Sequence, residues 1–205
     1  RVVAQCRNEL PMPFKRYQIQ NVWRAENTQK GRFREFLQCD ADIVGSSSPL
    51  SDAETIMVAV KSLEKLGFIR FKILINDRNV FEEIAKITKI KKEDLPFVIR
   101  TIDKLKKIGK EQVLLELTNK TKSKEQSLSI LQSIEGKSPP EKLKQIFSLL
   151  EDFDINKSMY EFSPILARGL DYYTGLIFEI EIEGYSGGSV CGGGRYDNLI
   201  GMFAG

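Results

Sequence analysis

Histidine is absent from all 205 residues, and that single gap removes whole classes of chemistry. Without an imidazole the chain cannot run a Ser-His or Cys-His mechanism, ligate a metal through histidine or use an imidazole as acid and base. Any catalysis must rest on arginines, carboxylates, amides, tyrosines and backbone. Cysteine is scarce as well. Cys6, Cys39 and Cys191 are odd in number and far apart, which fits neither a disulfide framework nor a paired zinc site and points to a reducing, cytoplasmic setting. The charged fraction is 29%, and no apolar run approaches the roughly 20 residues that a membrane span requires, so a soluble protein without a membrane partner is expected. No signal peptide is legible. The chain opens at Arg1 rather than Met, in a Val2-Val3-Ala4 stretch that reads as the middle of an element, so a trimmed chain is expected.

At 41% hydrophobic, the sequence can bury one substantial core plus a smaller module. The net charge of +3 is unremarkable, but its distribution is uneven. Between Lys86 and Lys124 there are twelve Lys or Arg against five Asp or Glu, an excess larger than that of the whole chain.

Two runs rich in aromatic and β-branched residues, Lys15 to Glu26 and Arg32 to Val44, flank the polar stretch Asn27 to Gly31 and predict a long β-hairpin. Ser51 and Glu54 have capping-box spacing, and Ile56, Val60 and Leu63 recur at helical spacing, which predicts a helix over 52–66. Alternation from Ile69 to Ile75 predicts a strand. From about Asn79 to Glu135 the pattern becomes short, lysine-rich amphipathic helices, read as an inserted module. Ser138-Pro139-Pro140 then starts a helix whose apolar face is Leu143, Ile146, Phe147 and Leu150. Leu176 to Glu183 alternates as a strand with one buried and one mostly acidic face. The glycine-rich run 187–194 reads as a tight bend between strands, and Arg195-Tyr196-Asp197 is read as opening a final helix.

Parity along the hairpin decides which side chains share a face. The even positions gather Arg24 and Glu26 with Arg32, Arg34, Phe36, Gln38, Asp40 and Asp42; the odd positions, Tyr17, Ile19, Trp23, Phe33, Leu37, Ala41 and Ile43, read as core. Guanidinium forks suit phosphate or carboxylate oxygens, whereas an amide and a carboxylate suit a protonated amine. The same face also reads as a solvated surface laced with salt bridges, and alternation alone leaves both open. A second cluster, Leu166-Ala167-Arg168-Gly169-Leu170-Asp171-Tyr172-Tyr173-Thr174-Gly175, is a site or a plain turn with an Arg-Asp pair. The glycine-rich run lacks the Lys-Ser/Thr of a phosphate-binding loop.

Taken together, these patches resemble the histidyl-tRNA synthetase family. Trp23 to Glu26, Gly31 to Phe36 and Gln38 to Asp42 are similar to motif 2 of class II synthetases in its histidyl form; Leu166 to Tyr173 resembles that family's histidine motif, and Gly193-Gly194-Arg195-Tyr196-Asp197 its companion. The resemblance implies an α+β fold, an antiparallel β-sheet of class II synthetase type flanked by helices with a small inserted helical domain. The expected division is 1–78 as the first part of the catalytic core, 79–135 as the insertion and 136–205 as the second part of the core. It further implies ATP-dependent activation of L-histidine and transfer to tRNA(His), with Mg²⁺ arriving on the ATP, no dedicated metal site and no permanently bound cofactor. By position, Arg24 and Arg168 are the catalytic candidates. Arg24, Glu26, Arg32 and Phe36 would hold ATP, and Gln38, Asp42, Arg168, Tyr172, Tyr173 and Tyr196 would hold histidine. Glycines 192–194 would leave room for the substrate, and the lysine-rich insertion would face the tRNA acceptor arm.

Motif 1, motif 3 and the anticodon-binding domain of such an enzyme have no counterpart in the sequence. The chain alone is therefore expected to be a poor catalyst, and a homodimer is expected of the full-length enzyme. The rival is a histidine-binding regulatory paralogue, resembling the regulatory subunit of ATP phosphoribosyltransferase, which would not need Arg24, Gln38 and Arg168 together.

Overall fold

A computed structural model describes residues 2–25, 27–28, 31–168 and 172–203. After a short helix α1 (Val2–Cys6), strands β1 (Phe14–Trp23) and β2 (Glu35–Val44) pair antiparallel along their whole length. In this register Arg16 lies opposite Asp42 and Gln20 opposite Gln38. The regular ladder is shorter than the sequence suggests: beyond Trp23, among the described residues, it continues through the bond from Arg24 N to Arg34 O, 2.8 Å.

Helix α2 (Pro49–Lys65) begins three residues before the predicted start. Its cap is Ser48, whose hydroxyl accepts from Leu50 N, and not Ser51; Pro49 occupies the first turn, where its fixed φ is already helical and its missing N–H costs nothing. Ala53, Ile56, Val60 and Leu63 form its buried face. A four-stranded sheet follows in the order β4-β3-β5-β6, built from β3 (Phe71–Asp77), β4 (Tyr160–Phe162), β5 (Leu176–Ile182) and β6 (Cys191–Gly194). Pairing is antiparallel between β3, β5 and β6, while the short β4 runs parallel to β3. Strand β3 starts two residues later than alternation predicts, leaving Ile69 exposed. Part of the glycine-rich run is itself a strand rather than a bend.

Between β3 and β4 lie α3 (Arg78–Ile87), α4 (Leu95–Asp103), α5 (Leu105–Thr121), α6 (Lys124–Glu135) and α7 (Glu141–Asp152). Three apolar clusters result. One joins α2 and α7 to the sheet through Ile56, Ile73, Ile146, Leu150 and Ile180; another lies within α3 to α6 around Phe81, Ile99, Leu117 and Ile130; a small third joins Leu74, Leu166 and Ile177, with Tyr173 packed against it. Each fully buried aliphatic or aromatic side chain contributes about 1.5–3 kcal/mol.

Two further sequence expectations fail here. The odd face of the hairpin is not core: Tyr17, Ile19, Trp23, Phe33 and Leu37 are all more than half exposed, Tyr17 at 81%. Parity sorts side chains into two sets, but it cannot tell which set another element covers. The final helix is likewise absent from the described residues. After Arg195 the chain makes isolated turns, Leu199 N to Tyr196 O and Phe203 N to Ile200 O, with only a 3₁₀ turn at Gly201–Phe203.

Candidate active site

The covered face of β2 carries the first group of predicted site residues. Arg24 donates from Nη2 to Gln38 Oε1, and its guanidinium lies over the Phe36 ring, 4.9 Å from the centroid. Gln38 donates in turn from Nε2 to Asp40 Oδ1, 2.7 Å. Arg24, Phe36, Gln38 and Asp40 thus form one continuous polar strip with an aromatic plane inside it. Arg32 is exposed in the connection between the strands, and Glu26 lies outside the described residues.

Further along the same face, Asp42 sits between two donors. Arg16 reaches it at 2.8 Å from the neighbouring strand, and the Tyr196 hydroxyl donates to its other oxygen. Tyr196 leads on to Tyr173 with ring centroids 6.4 Å apart, and Tyr173 to Tyr172 at 4.3 Å. Burial pushes the Tyr196 hydroxyl well above its ordinary range, and the hydrogen bond to Asp42 pushes it further. Burial does the same for Tyr173, reinforced by its contact with Tyr172. Both therefore remain neutral hydroxyls able to donate and accept near neutral pH. Tyr172 is more exposed, at 43%.

Arg168 closes the row. Its Nε lies 3.1 Å from Glu179 Oε1 on β5, and its Nη1 is buried with no hydrogen-bond partner among the described residues. The room beneath it comes from Gly192, where any Cβ would overlap Nη1. This corrects the sequence expectation for the glycines. A Cβ at Gly193 would come 2.8 Å from the Phe178 ring, and one at Gly194 would come 2.9 Å from the Tyr173 ring. The space left by the three glycines is filled by the protein's own atoms, the Leu176 carbonyl at 2.6 Å from a Cβ at Gly194 among them, so they seat Arg168, Phe178 and Tyr173 rather than a ligand directly.

A surface that sets guanidinium groups, an amide, carboxylates and neutral tyrosines side by side can hold an anion, an amine and a planar ring at once. A family model described as "Histidyl-tRNA synthetase" matches residues 1–205.

The chain belongs to the histidyl-tRNA synthetase family.

The histidine–tRNA ligase of Cytophaga hutchinsonii is 41% identical over 224 residues, covering 99% of this chain and 49% of that protein. That of Aeropyrum pernix is 42% identical over 217 residues, covering 96% and 48%. A crystal structure of histidyl-tRNA synthetase from Nostoc sp. PCC 7120 superposes with a TM-score of 0.87 at 30% identity, over 98% of this chain and 52% of that one. The chain spans about half the length of the curated relatives it matches. A structure titled as an ATP phosphoribosyltransferase regulatory subunit/histidyl-tRNA synthetase, from Bacillus halodurans, shares the fold with a TM-score of 0.77 at 21% identity.

Within this family fold, sequence reasoning missed four polar residues of the site. Arg16 could have been found, because its parity and its place opposite Asp42 follow from the hairpin register. Arg195 was quoted within a motif but given no role. In the structure it is 9% exposed and binds Asp52 at 2.9 Å while donating to the carbonyls of Ser46 and Ser48. Glu179 and Asp103 approach Arg168 only through the fold: they come from β5 and from the end of α4, and no local pattern distinguishes them from neighbouring surface acids.

Proposed function

We propose that this chain carries the histidine- and ATP-binding face of a histidine–tRNA ligase, which activates L-histidine as histidyl-adenylate and passes it to tRNA(His). The observation that carries the reading is the unbroken row on one face: Arg24 with Phe36, then Gln38, then Asp42 joined to Tyr196, Tyr173 and Tyr172, with Arg168 held beside Glu179.

The adenine stacks on Phe36, with Glu26 accepting from its amino group, and Arg32 meets the outer phosphates. Arg24 holds the α-phosphate. Gln38 and Asp42 take the substrate's ammonium, and Tyr172, Tyr173 and Tyr196 bound the imidazole. The histidine carboxylate oxygen attacks the α-phosphorus; a new P–O bond forms as the bond to pyrophosphate breaks, and pyrophosphate leaves with Mg²⁺. Negative charge that builds on the α-phosphate oxygens faces Arg24 and Arg168, whose positions are set before the reaction begins. The attacking carboxylate is already ionised, so no protein base is needed, which suits a chain without histidine.

Mg²⁺ belongs to the nucleotide in this reading, held by phosphate oxygens. Among the described residues no group of three acidic or thiol side chains could hold a metal ion. Residues 79–135 form a separate inserted domain whose lysines neutralise acceptor-arm phosphates, with 1–78 and 136–205 as the two parts of the core. The full-length protein is a cytoplasmic homodimer; among the described residues no helix is long and apolar enough to cross a membrane.

Calorimetric titration with histidine, ATP and a non-hydrolysable histidyl-adenylate analogue tests the reading, repeated on Arg168→Ala and Gln38→Ala. Analogue binding that both substitutions abolish is expected. Histidine binding without any response to ATP or the analogue, in the full-length protein as well, would mark a histidine sensor instead.

A further inference from the structure

The segment that delivers Arg168 is gripped from three sides by residues outside the predicted site. Asn76, fully buried at the end of β3, donates from Nδ2 to the carbonyls of Pro164 at 3.2 Å and Leu166 at 3.0 Å. Asp103, the last residue of α4, accepts from Ala167 N at 3.4 Å, one residue before the arginine. Ile165 and Ala167 also pack against the apolar cluster of α3 to α6. Glu179 binds the Nε edge of the guanidinium directly.

A guanidinium has two usable edges, and a carboxylate on the Nε side fixes the plane of the group while leaving the far end free to bind a second anion. At Arg168 the far end carries Nη1, shielded from solvent against Gly192 and without a hydrogen-bond partner among the described residues, while a third of the side chain as a whole stays exposed to an incoming anion. Resting on the ligase reading above, we propose that Glu179 and Asp103 are positioning residues that together aim Arg168 at the α-phosphate, so that the helices of 79–135 contribute to adenylate formation through the backbone of Ala167.

The arrangement trades charge for orientation. A second carboxylate beside Arg168 weakens the positive field felt by the phosphate, so Glu179 would be a poor choice if bulk charge were what mattered. Its worth lies in fixing direction, since misplacing a catalytic group by about 1 Å costs roughly a hundredfold in rate. Burial raises the carboxyls of both Glu179 and Asp103, and the Arg168 charge acts in the opposite direction on each, which ties all three into one cluster.

The test is histidine-dependent exchange of pyrophosphate into ATP by the whole polypeptide to which the chain belongs. It compares wild type, Glu179→Ala, Glu179→Gln, Asp103→Asn, Arg168→Ala and each of the three carboxylate substitutions combined with Arg168→Ala. Glu179→Ala is expected to lower kcat about ten- to a hundredfold with little change in KM for histidine or ATP. Glu179→Gln, which keeps an acceptor for Nε, recovers most of that loss, and Asp103→Asn costs several-fold. All three losses vanish when Arg168 is already alanine. Losses that persist undiminished in the Arg168→Ala background, or that fall on KM alone, would overturn the proposal. If Glu179→Ala fails to fold, the glutamine and asparagine variants decide by the same comparison. No histidine-dependent exchange by the wild-type protein would instead sink the ligase reading itself.

Discussion

The hydroxyl of Tyr196 donates to a carboxylate oxygen of Asp42, 154 residues away in sequence. That bond joins the loop after β6 to the hairpin, and Arg16 grips the same carboxylate from the other side at 2.8 Å. Asp42 therefore enters the site with both oxygens held by donors and its direction fixed, which is how an acceptor for an ammonium group must be presented.

Tyr196→Phe removes the donor and keeps the ring. Histidine affinity is expected to fall about tenfold, equivalent to about 1.4 kcal/mol, with the urea midpoint nearly unchanged. Calorimetry beside urea unfolding checks this; unchanged affinity would remove Tyr196 from the amino-acid site.

Arg195 and Asp52 are both under 10% exposed, and burial raises the Asp52 carboxyl despite the arginine beside it. Arg195→Met leaves that carboxylate with only the more distant Lys142 Nζ, 3.8 Å away, as a cationic neighbour among the described residues. It should destabilise the fold by about 3–5 kcal/mol in urea unfolding, and Asp52→Leu added to it should restore part of the loss. A loss under about 1 kcal/mol would show that the pair is already solvated.

Gly192→Ala places a methyl where Arg168 Nη1 now lies. Affinity for the adenylate analogue is expected to drop tenfold or more while the fold survives, because the Arg168 side chain must move aside and the Phe178 carbonyl, 3.1 Å from the new methyl, need yield only slightly. Gly136→Ala, where the added Cβ meets nothing closer than 3.4 Å and φ is already negative, serves as the neutral comparison.

Tyr160 donates to Phe147 O at 3.2 Å and to Glu151 at 3.1 Å. Burial, reinforced by that acidic neighbour, holds its hydroxyl up at about 12. A raised pKa adds stability that is complete below the unfolded value, about 10, and is lost as pH climbs through the folded one. Urea midpoints should fall between about pH 10 and 12, and Tyr160→Phe should flatten that fall. An identical slope in the variant would refute the assignment.

The hairpin, α2, β5 and α7 were legible because each follows from a period or a punctuating proline. That Arg24, Phe36, Gln38 and Asp42 share a face followed from parity, whereas their reading as a site came from the family resemblance. What could not be read required knowing which surfaces meet. Tyr17 and Trp23 look like core in sequence because they are apolar, yet they stand exposed. Ser51 satisfied a capping pattern but lost the role to Ser48 once Pro49 fixed the first turn. Glu179 is one of three alternating acids on β5 and the residue just after it, and only the approach of residues 163–168 separates it from Glu181 and Glu183.

The two sheets share no ladder: among the described residues β2 pairs only with β1, and β6 only with β5. The hairpin is fastened to the rest by the packing of α2 on β2, by the ion pair of Lys15 with Glu54 at 2.5 Å and by the side chains of Arg195 and Tyr196. Swinging it away breaks none of the backbone bonds of the four-stranded sheet. In deuterated water its amides should accordingly exchange as a cooperative unit of their own, through an opening that costs less than global unfolding, while β3 and β5 stay protected. Whatever binds across Asp42 and Tyr196 would then act as a clasp, and the slowing of that exchange would measure how tightly it closes.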